Sequence, residues 1–271
     1  MKAPIGVFDS GVGGLSILQA LQRELPNENF VYIADSAHAP YGERDAAFVK
    51  SRAKTLWHTL RDVHHAKALV VACNTATALA IQHLRDDHPE IAFFGVEPAA
   101  KPAAALSQTK RVGVMATPAT LGSEKFAQLI QSLDEHTVFV VQGCEGLADA
   151  IEKQCQDGDD APVRALCEKY VQAMGGFGNQ TGEIDTLVLG CTHYPFALPL
   201  LREFVGEQVT ILETGLPVAR QVKKVLGERG LLAVGDLPAG SSSDEVGKVT
   251  LLATGDAQSL HRAAQMWLPP L

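Results

Sequence analysis

The sequence predicts an α/β protein made of two similar parallel-sheet α/β domains that face each other across a cleft. Three observations lead there. Short apolar runs alternate with longer amphipathic stretches from end to end, the pattern of parallel strands joined by crossover helices. The chain has 271 residues, 46% hydrophobic and 20% charged, which suits one large or two medium domains with a sizeable core. Finally, the sequence echoes itself. Ile5-Gly6-Val7-Phe8-Asp9-Ser10 returns as Val112-Gly113-Val114-Met115-Ala116-Thr117, and Leu69-Val70-Val71-Ala72-Cys73-Asn74-Thr75 returns as Leu187-Val188-Leu189-Gly190-Cys191-Thr192-His193, in the same order.

In chain order, the first half reads as strand 4–8, helix 14–25, strand 30–34, helix 45–65, strand 68–72, helix 75–86 and strand 92–94. The second half begins with strand 111–115, helix 121–133 and strand 137–141, followed by helices 146–155 and 162–174. It continues with strand 186–189, helix 196–205, strand 209–212 and helix 216–229. Segment 240–247, with three consecutive serines and two acids, predicts a mobile loop.

Charge and cysteine usage exclude several classes of function. The net charge is -8 and the 23 basic residues are scattered, which argues against nucleic acid or an anionic membrane as partner. No apolar run has the length of a membrane span, and no basic segment precedes a hydrophobic signal core, so a cytosolic (cytoplasmic) protein is expected. Five cysteines, an odd number in a chain of this size, do not form a disulfide framework. No Cys-x-x-Cys pair occurs, and the nine histidines, His64-His65 included, show no zinc spacing, so no metal is expected. Oligomeric state is open, a homodimer among the options.

Ligands in open α/β sheets bind outside the carboxyl ends of strands, so the echo directs Cys73 and Cys191 into one site. Cysteine is among the most buried residue types, and for Cys144, Cys155 and Cys167 a core role is the expectation. Cys73 and Cys191 differ in their matched context: each follows four apolar residues and precedes a helix, whose N-terminus lowers a thiol pKa from ~8.5. Two such thiols suit inversion at an α-carbon. One group removes the proton from one face and the other returns a proton to the opposite face, roles that interchange with direction. Asp9, ending the first strand, and His193, two residues beyond Cys191, are candidates to tune them. Asp9 is equally readable as a helix N-cap, and His193 as a hydrogen-bonded core histidine. Helix N-termini with Ser10, Thr75, Thr117 and Thr192 are candidates to hold substrate carboxylates.

Gly11-Val12-Gly13-Gly14 follows a strand and opens a helix, and Asp35 ends the next strand, which imitates a dinucleotide fingerprint. Ser16 occupies the third glycine position, and a polar Asp-Ser pair precedes the turn. Nucleotide binding therefore ranks behind racemisation.

From about residue 5 to 267 the motifs resemble the aspartate/glutamate racemase family, and within it the glutamate racemases. The matching stretches are Gly6 to Leu15, Ala34-Asp35 with Pro40-Tyr41-Gly42, Ala72-Cys73-Asn74-Thr75-Ala76, and Ala116-Thr117 with Ala119-Thr120. Leu189-Gly190-Cys191-Thr192-His193-Tyr194-Pro195, Thr214-Gly215 and Thr254-Gly255-Asp256 complete them. The resemblance implies cofactor-independent interconversion of L- and D-glutamate, supplying D-glutamate for peptidoglycan. It implies Cys73 and Cys191 as paired acid/base residues assisted by Asp9, Glu152 and His193. Substrate contacts are implied from Asp9-Ser10, Tyr41-Gly42, Asn74-Thr75, Thr117, Thr120 and Thr192-His193. It also implies that the C-terminal part returns to the first domain, giving residues 1–96 plus 208–271 and residues 97–207. The chain departs from the family in having Cys144-Glu145 for the usual Cys-Pro and Glu213-Thr214 where Asp-Ser is frequent. It begins directly at the first strand, so the N-terminal extension some members use for activation by a cell-wall precursor is expected to be absent. Side-chain length of the substrate does not follow from spacing, which leaves an aspartate or hydantoin racemase as the nearest rival. A ligand-binding module with core cysteines is the rival of another class.

Overall fold

The computed structural model describes residues 3–133, 135–233 and 246–268; the loop expected at 240–247 falls, through residue 245, outside them. The apolar runs pair as two sheets in which every pairing is parallel. The first comprises β1 (Ile5–Asp9), β2 (Phe30–Ala34), β3 (Ala68–Val71), β4 (Ala92–Gly95) and β9 (Val249–Ala253), in the order β4-β3-β1-β2-β9. The second comprises β5 (Arg111–Ala116), β6 (Val138–Gly143), β7 (Thr186–Gly190) and β8 (Thr210–Leu212), in the order β6-β5-β7-β8. The echo extends to topology. Exchanging β1 to β4 for β5 to β8 converts β4-β3-β1-β2 into β8-β7-β5-β6, the second sheet read backwards. Register matches as well: Gly6 faces Leu69 in the first sheet and Gly113 faces Leu187 in the second.

Helices cover both sheet faces, as parallel sheets require. In the first half, α1 (Leu15–Glu24), α10 (Gly215–Glu228) and α11 (Ala257–Trp267) pack on the face presenting Ile5, Val7, Val70 and Tyr32. On the other face α2 (Ala46–Asp62) and α3 (Asn74–Asp87) meet Phe8, Ile33, Leu69 and Val71, the two-residue alternation of strands. In the second half, α7 (Leu147–Asp157), α8 (Ala161–Met174) and α9 (Leu198–Val205) cover Met115, Leu187 and Leu189. The opposite face, with Val112, Val114 and Val188, receives α4 (Ala100–Leu106) and α6 (Glu124–Gln131). No helix among the described residues is long and apolar enough to cross a membrane.

Several expectations need correction. Strand β8 pairs with β7 and so lies in the second sheet, beyond the expected boundary between 207 and 208. The helix expected over 121–133 is divided: Thr117 caps a single turn, α5 (Pro118–Leu121), and Ser123 caps α6, each hydroxyl accepting from a backbone N–H three residues on. The helix expected to reach 65 ends at Asp62, and His65 lies at φ 55, outside the helical region. Helix 196–205 starts at Leu198, after a 3-10 turn over Tyr194–Ala197. Helices α4 and α11 and strand β9 went unpredicted, although Asp256 caps α11 through the N–H groups of Gln258 and Ser259.

Asp35, at the end of β2, organises the segment that reaches the cleft. Arg52 on α2 grips it with two hydrogen bonds of 2.9 and 2.8 Å, Thr254 after β9 donates at 2.8 Å, and the Tyr41 hydroxyl donates to Oδ2. Burial raises the Asp35 pKa, but the hydrogen bonds from Arg52, Tyr41 and Thr254 outweigh it and hold the carboxyl below its ordinary value. The stabilisation is therefore in place above the ordinary carboxylate pKa of ~4 and is lost as pH falls through the lowered folded-state value. Arg52→Met should cost about 3 kcal/mol by urea denaturation at pH 7, and the gap to the parent should narrow in acid below the carboxylate range. A gap that is constant from pH 7 into acid would contradict this role for Asp35.

Candidate active site

The ends of β1, β3, β5 and β7 converge on a cavity of about 550 Å³ between the sheets. Of the residues singled out in the sequence, Ser10, Tyr41, Gly42, Cys73, Asn74 and Thr75 line it from the first half, and Thr117, Glu152, Cys191, Thr192 and His193 line it from the second. Asp9 lies beneath it, with no exposed surface, and Thr120 lies behind Thr117.

Cys73 stands at the N-terminus of α3, where the Ala76 N–H donates to its Sγ at 3.4 Å. Its thiol faces the Ser10 Oγ at 3.8 Å, and the Ser10 hydroxyl donates to Asp9 Oδ1 at 2.9 Å. Thr192, from the second half, donates to Asp9 Oδ2 at 2.8 Å, so each half supplies a hydroxyl to this carboxylate. Burial raises the Asp9 pKa against the opposing pull of His193 and of the Thr192 and Ser10 hydrogen bonds. The Cys73 thiol is pushed well above its usual value by burial first and by the Asp9 charge second. The lowering expected from the helix N-terminus is overturned here: the Ala76 N–H acts in the expected direction but is outweighed.

The opposite wall carries another chain of groups. The Cys191 Sγ lies 3.8 Å from His193 Nδ1, and His193 Nε2 lies 2.7 Å from Glu152 Oε1. The Val12 N–H, from the first half, donates to that same oxygen at 3.0 Å. Burial depresses the His193 pKa, but its hydrogen bonds to Cys191 and Glu152 prevail and raise it well above the ordinary histidine value. Burial likewise raises Glu152, and His193 with the Val12 N–H overrides it, leaving the carboxyl below its ordinary pKa. Both shifts act in the same sense, toward a protonated ring beside an ionised carboxyl, and the other ring nitrogen faces the sulfur.

The Gly11-x-Gly13-Gly14 turn is explained by these neighbours. A methyl group on Gly11 would overlap the Glu152 carboxylate, one on Gly13 would overlap the His193 ring, and one on Gly14 would lie 2.7 Å from Asp9 Cβ. Gly11 and Gly13 thus admit groups from the other half, and Gly14 makes room for Asp9 of its own half. Ser16, in the place of the fingerprint's third glycine, donates to the Thr192 carbonyl at 2.9 Å.

Two more features shape the cavity. Thr75 and Thr117 meet across it with their hydroxyls 3.1 Å apart, and the Thr117 hydroxyl donates to Thr120 at 2.9 Å. Asn74 donates its Nδ2 to the Val96 carbonyl at 3.2 Å, while its buried Oδ1 has no hydrogen-bond partner among the described residues. The Tyr41 hydroxyl is committed to Asp35, so the ring braces the wall.

Cys144, expected in the core, also lines the cavity; Cys155 and Cys167 are buried in core clusters away from it. Cys144 follows β6 directly, and the rule that strand ends face the cleft was the available signal. Glu145, Asp149 and Lys153 at the cavity wall had no sequence signal of their own.

Because the obstacle facing a side chain at Gly11 is the Glu152 carboxylate, Gly11→Ala should destabilise the fold by about 1–3 kcal/mol. Adding Glu152→Ala should bring the double variant to the stability of Glu152→Ala alone. Strictly additive losses in thermal unfolding would place the obstacle elsewhere.

Comparison with known proteins agrees with this architecture. Residues 5–222 match the family model described as Asp/Glu/Hydantoin racemase. A glutamate racemase of Ectopseudomonas mendocina is 46% identical over 86% of this chain and 85% of its own length. Among solved structures, a glutamate racemase isoform from Bacillus anthracis superposes with a TM-score of 0.82 at 31% identity, covering 98% of this chain and 94% of that one. The Escherichia coli glutamate racemase, in complex with L-glutamate and the activator UDP-MurNAc-Ala, also gives a TM-score of 0.82, at 26% identity over 98% and 96% of the two chains. The chain belongs to the Asp/Glu/Hydantoin racemase family, with the glutamate racemases as its relatives within it.

Proposed function

We propose that this protein is a cofactor-independent glutamate racemase of the cytoplasm that supplies D-glutamate for peptidoglycan synthesis. The observation that carries the reading is the pair of thiols reaching one cavity from two different sheets, each with its own polar support. We read the two sheets as two domains, residues 1–96 with the C-terminal return and the intervening segment, the return following β8.

In the direction from L- to D-glutamate, the Cys191 thiolate takes the α-proton and the Cys73 S–H delivers its own proton to the opposite face. The carbanionic electron pair forms the new C–H bond, and the thiols end with exchanged protonation states. Two observations support this division of labour. His193 Nδ1 lies 3.8 Å from the Cys191 Sγ, within reach of the proton that sulfur exchanges, and burial raises the Cys73 pKa, which keeps it a thiol. In the reverse direction Cys73 must become the base, and Ser10 and Asp9 form a hydrogen-bonded path along which its proton can move. The hydroxyls of Ser10, Thr75, Thr117 and Thr192 together with the α3 N-terminus suit the substrate carboxylates. No step in this scheme calls for a metal or an organic cofactor.

Chiral chromatography of product from L-glutamate and from L-aspartate, using enzyme dialysed against chelator with reductant present, tests the reading. Racemisation of glutamate in strong preference to aspartate is expected. Faster turnover of aspartate, or activity lost on dialysis, would overturn it. Cys73→Ala and Cys191→Ala should each lower racemisation by about 10³-fold or more, and near-parental turnover by either would remove the two-thiol mechanism.

The His193 charge adds a pH prediction. Glu152→Gln removes the carboxylate that helps hold the imidazole protonated, so the His193 pKa falls and the imidazolium is lost at lower pH. The basic limb of the kcat/KM profile should move to lower pH, whereas an unmoved limb would separate His193 from the ionisation that governs turnover.

A further inference from the structure

Behind the Cys191 wall, the ring of Phe196 stacks on Trp267 with centroids 3.6 Å apart and planes within 7°. The two rings come from different halves: Phe196 lies in the turn that follows His193, and Trp267 ends α11, beside the first sheet. Both pack against the hydrophobic clusters of both halves, so the stack joins the two cores. We propose that Trp267, acting through Phe196, is a positioning residue for the Cys191–His193–Glu152 chain. The inference rests on the mechanism proposed above.

Three connections support it. The Phe196 N–H donates to the His193 carbonyl at 3.0 Å, so displacement of Phe196 is transmitted to the histidine backbone. Helix α11 packs directly on α7, the helix that carries Glu152, so one helix braces both partners of the His193–Glu152 pair. Helix α1 then ties the parts together: Gln19 Nε2 donates to the Trp267 carbonyl at 3.0 Å, and Ser16 Oγ donates to the Thr192 carbonyl at 2.9 Å. Among the described residues, the charged and titratable groups facing His193 are Glu152, Asp9 and Cys191, of which the first and last are hydrogen-bonded to it. Its action on the sulfur depends on ring placement, and hence on the backbone Phe196 holds. Cys73, on the opposite wall, has no connection to the stack among these contacts.

The test compares Trp267→Ala, Trp267→Leu and Trp267→Phe with the parent at a temperature below all four unfolding transitions. Leu keeps apolar bulk without a flat face, and Phe restores the face. Two readouts are taken: kcat and KM for racemisation, and the rates of Cys191 and Cys73 alkylation by iodoacetamide, followed by peptide mass spectrometry. The Ala and Leu variants should lose about tenfold or more in kcat with KM changed less, and Cys191 alkylation should slow relative to Cys73 by a similar factor. Phe should restore both. If Ala and Leu lower only the melting temperature, leaving kcat and the alkylation ratio within about twofold of the parent, the stack is a structural tie alone and the proposal is overturned. Should the parent fail to racemise glutamate, the proposed function falls, yet the alkylation ratio still reports whether Trp267 positions His193 beside Cys191. If the Ala variant does not fold, the Leu and Phe variants decide in the same terms.

Discussion

A carboxylate with no contact with solvent is costly to bury, and Asp9 is tolerated because each half of the molecule gives it a hydroxyl. Ser10 donates from its own strand end and Thr192 reaches over from the other half, while the Gly11 N–H adds a third donor at 3.3 Å. Satisfying this group requires the halves to close to hydrogen-bonding distance. That closure brings Glu152 against Gly11 and His193 against Gly13, where a side chain would overlap them. The glycines, the carboxylate and the imidazole thus answer one geometric requirement: two strand ends from different sheets must touch.

The repeated strand order supplies two similar walls, but their chemistry differs. On one, a neutral thiol is linked through a hydroxyl to a buried carboxylate of raised pKa. On the other, a thiol faces a histidine of raised pKa held by a carboxyl of lowered pKa. A pseudo-symmetric scaffold with unequal supports is what a reaction between mirror-image substrates needs from a chiral protein. Under the proposed two-thiol mechanism either thiol must be able to begin as base, yet the route that reloads each proton need not be the same.

Much of this was legible in the sequence because it depends on local pattern. Apolar runs located eight of the nine described strands, and the echo around Cys73 and Cys191 anticipated two parallel sheets with matched order. Strand β9 went unread although its run Leu251-Leu252-Ala253 is as apolar as those of the located strands, and α4 escaped because seven residues with an internal proline give little periodicity. Helix α11 carried a cap and an apolar spacing at Leu260, Ala263 and Ala264 that could have been read. Other features lie beyond sequence pattern. The Cys73 pKa depends on burial and on Asp9, which the helix position alone does not convey. The purpose of the glycine turn is invisible until α7 and the segment after β7 are docked against it. Glu152 came to notice only through family resemblance, and its place beside His193 is a product of tertiary packing.

The central claim is that two separate acid/base groups act on opposite faces of one carbon. It is tested most directly by starting with protiated L-glutamate in deuterium oxide and analysing both enantiomers early in the reaction by mass spectrometry. A two-thiol site predicts D-glutamate carrying solvent deuterium at the α-carbon, because the donating thiol holds a solvent deuteron, while the remaining L-glutamate stays protiated. Deuterium entering the L-glutamate pool as fast as D-glutamate forms, or D-glutamate that retains the substrate's own proton, would point to a single base and contradict the account.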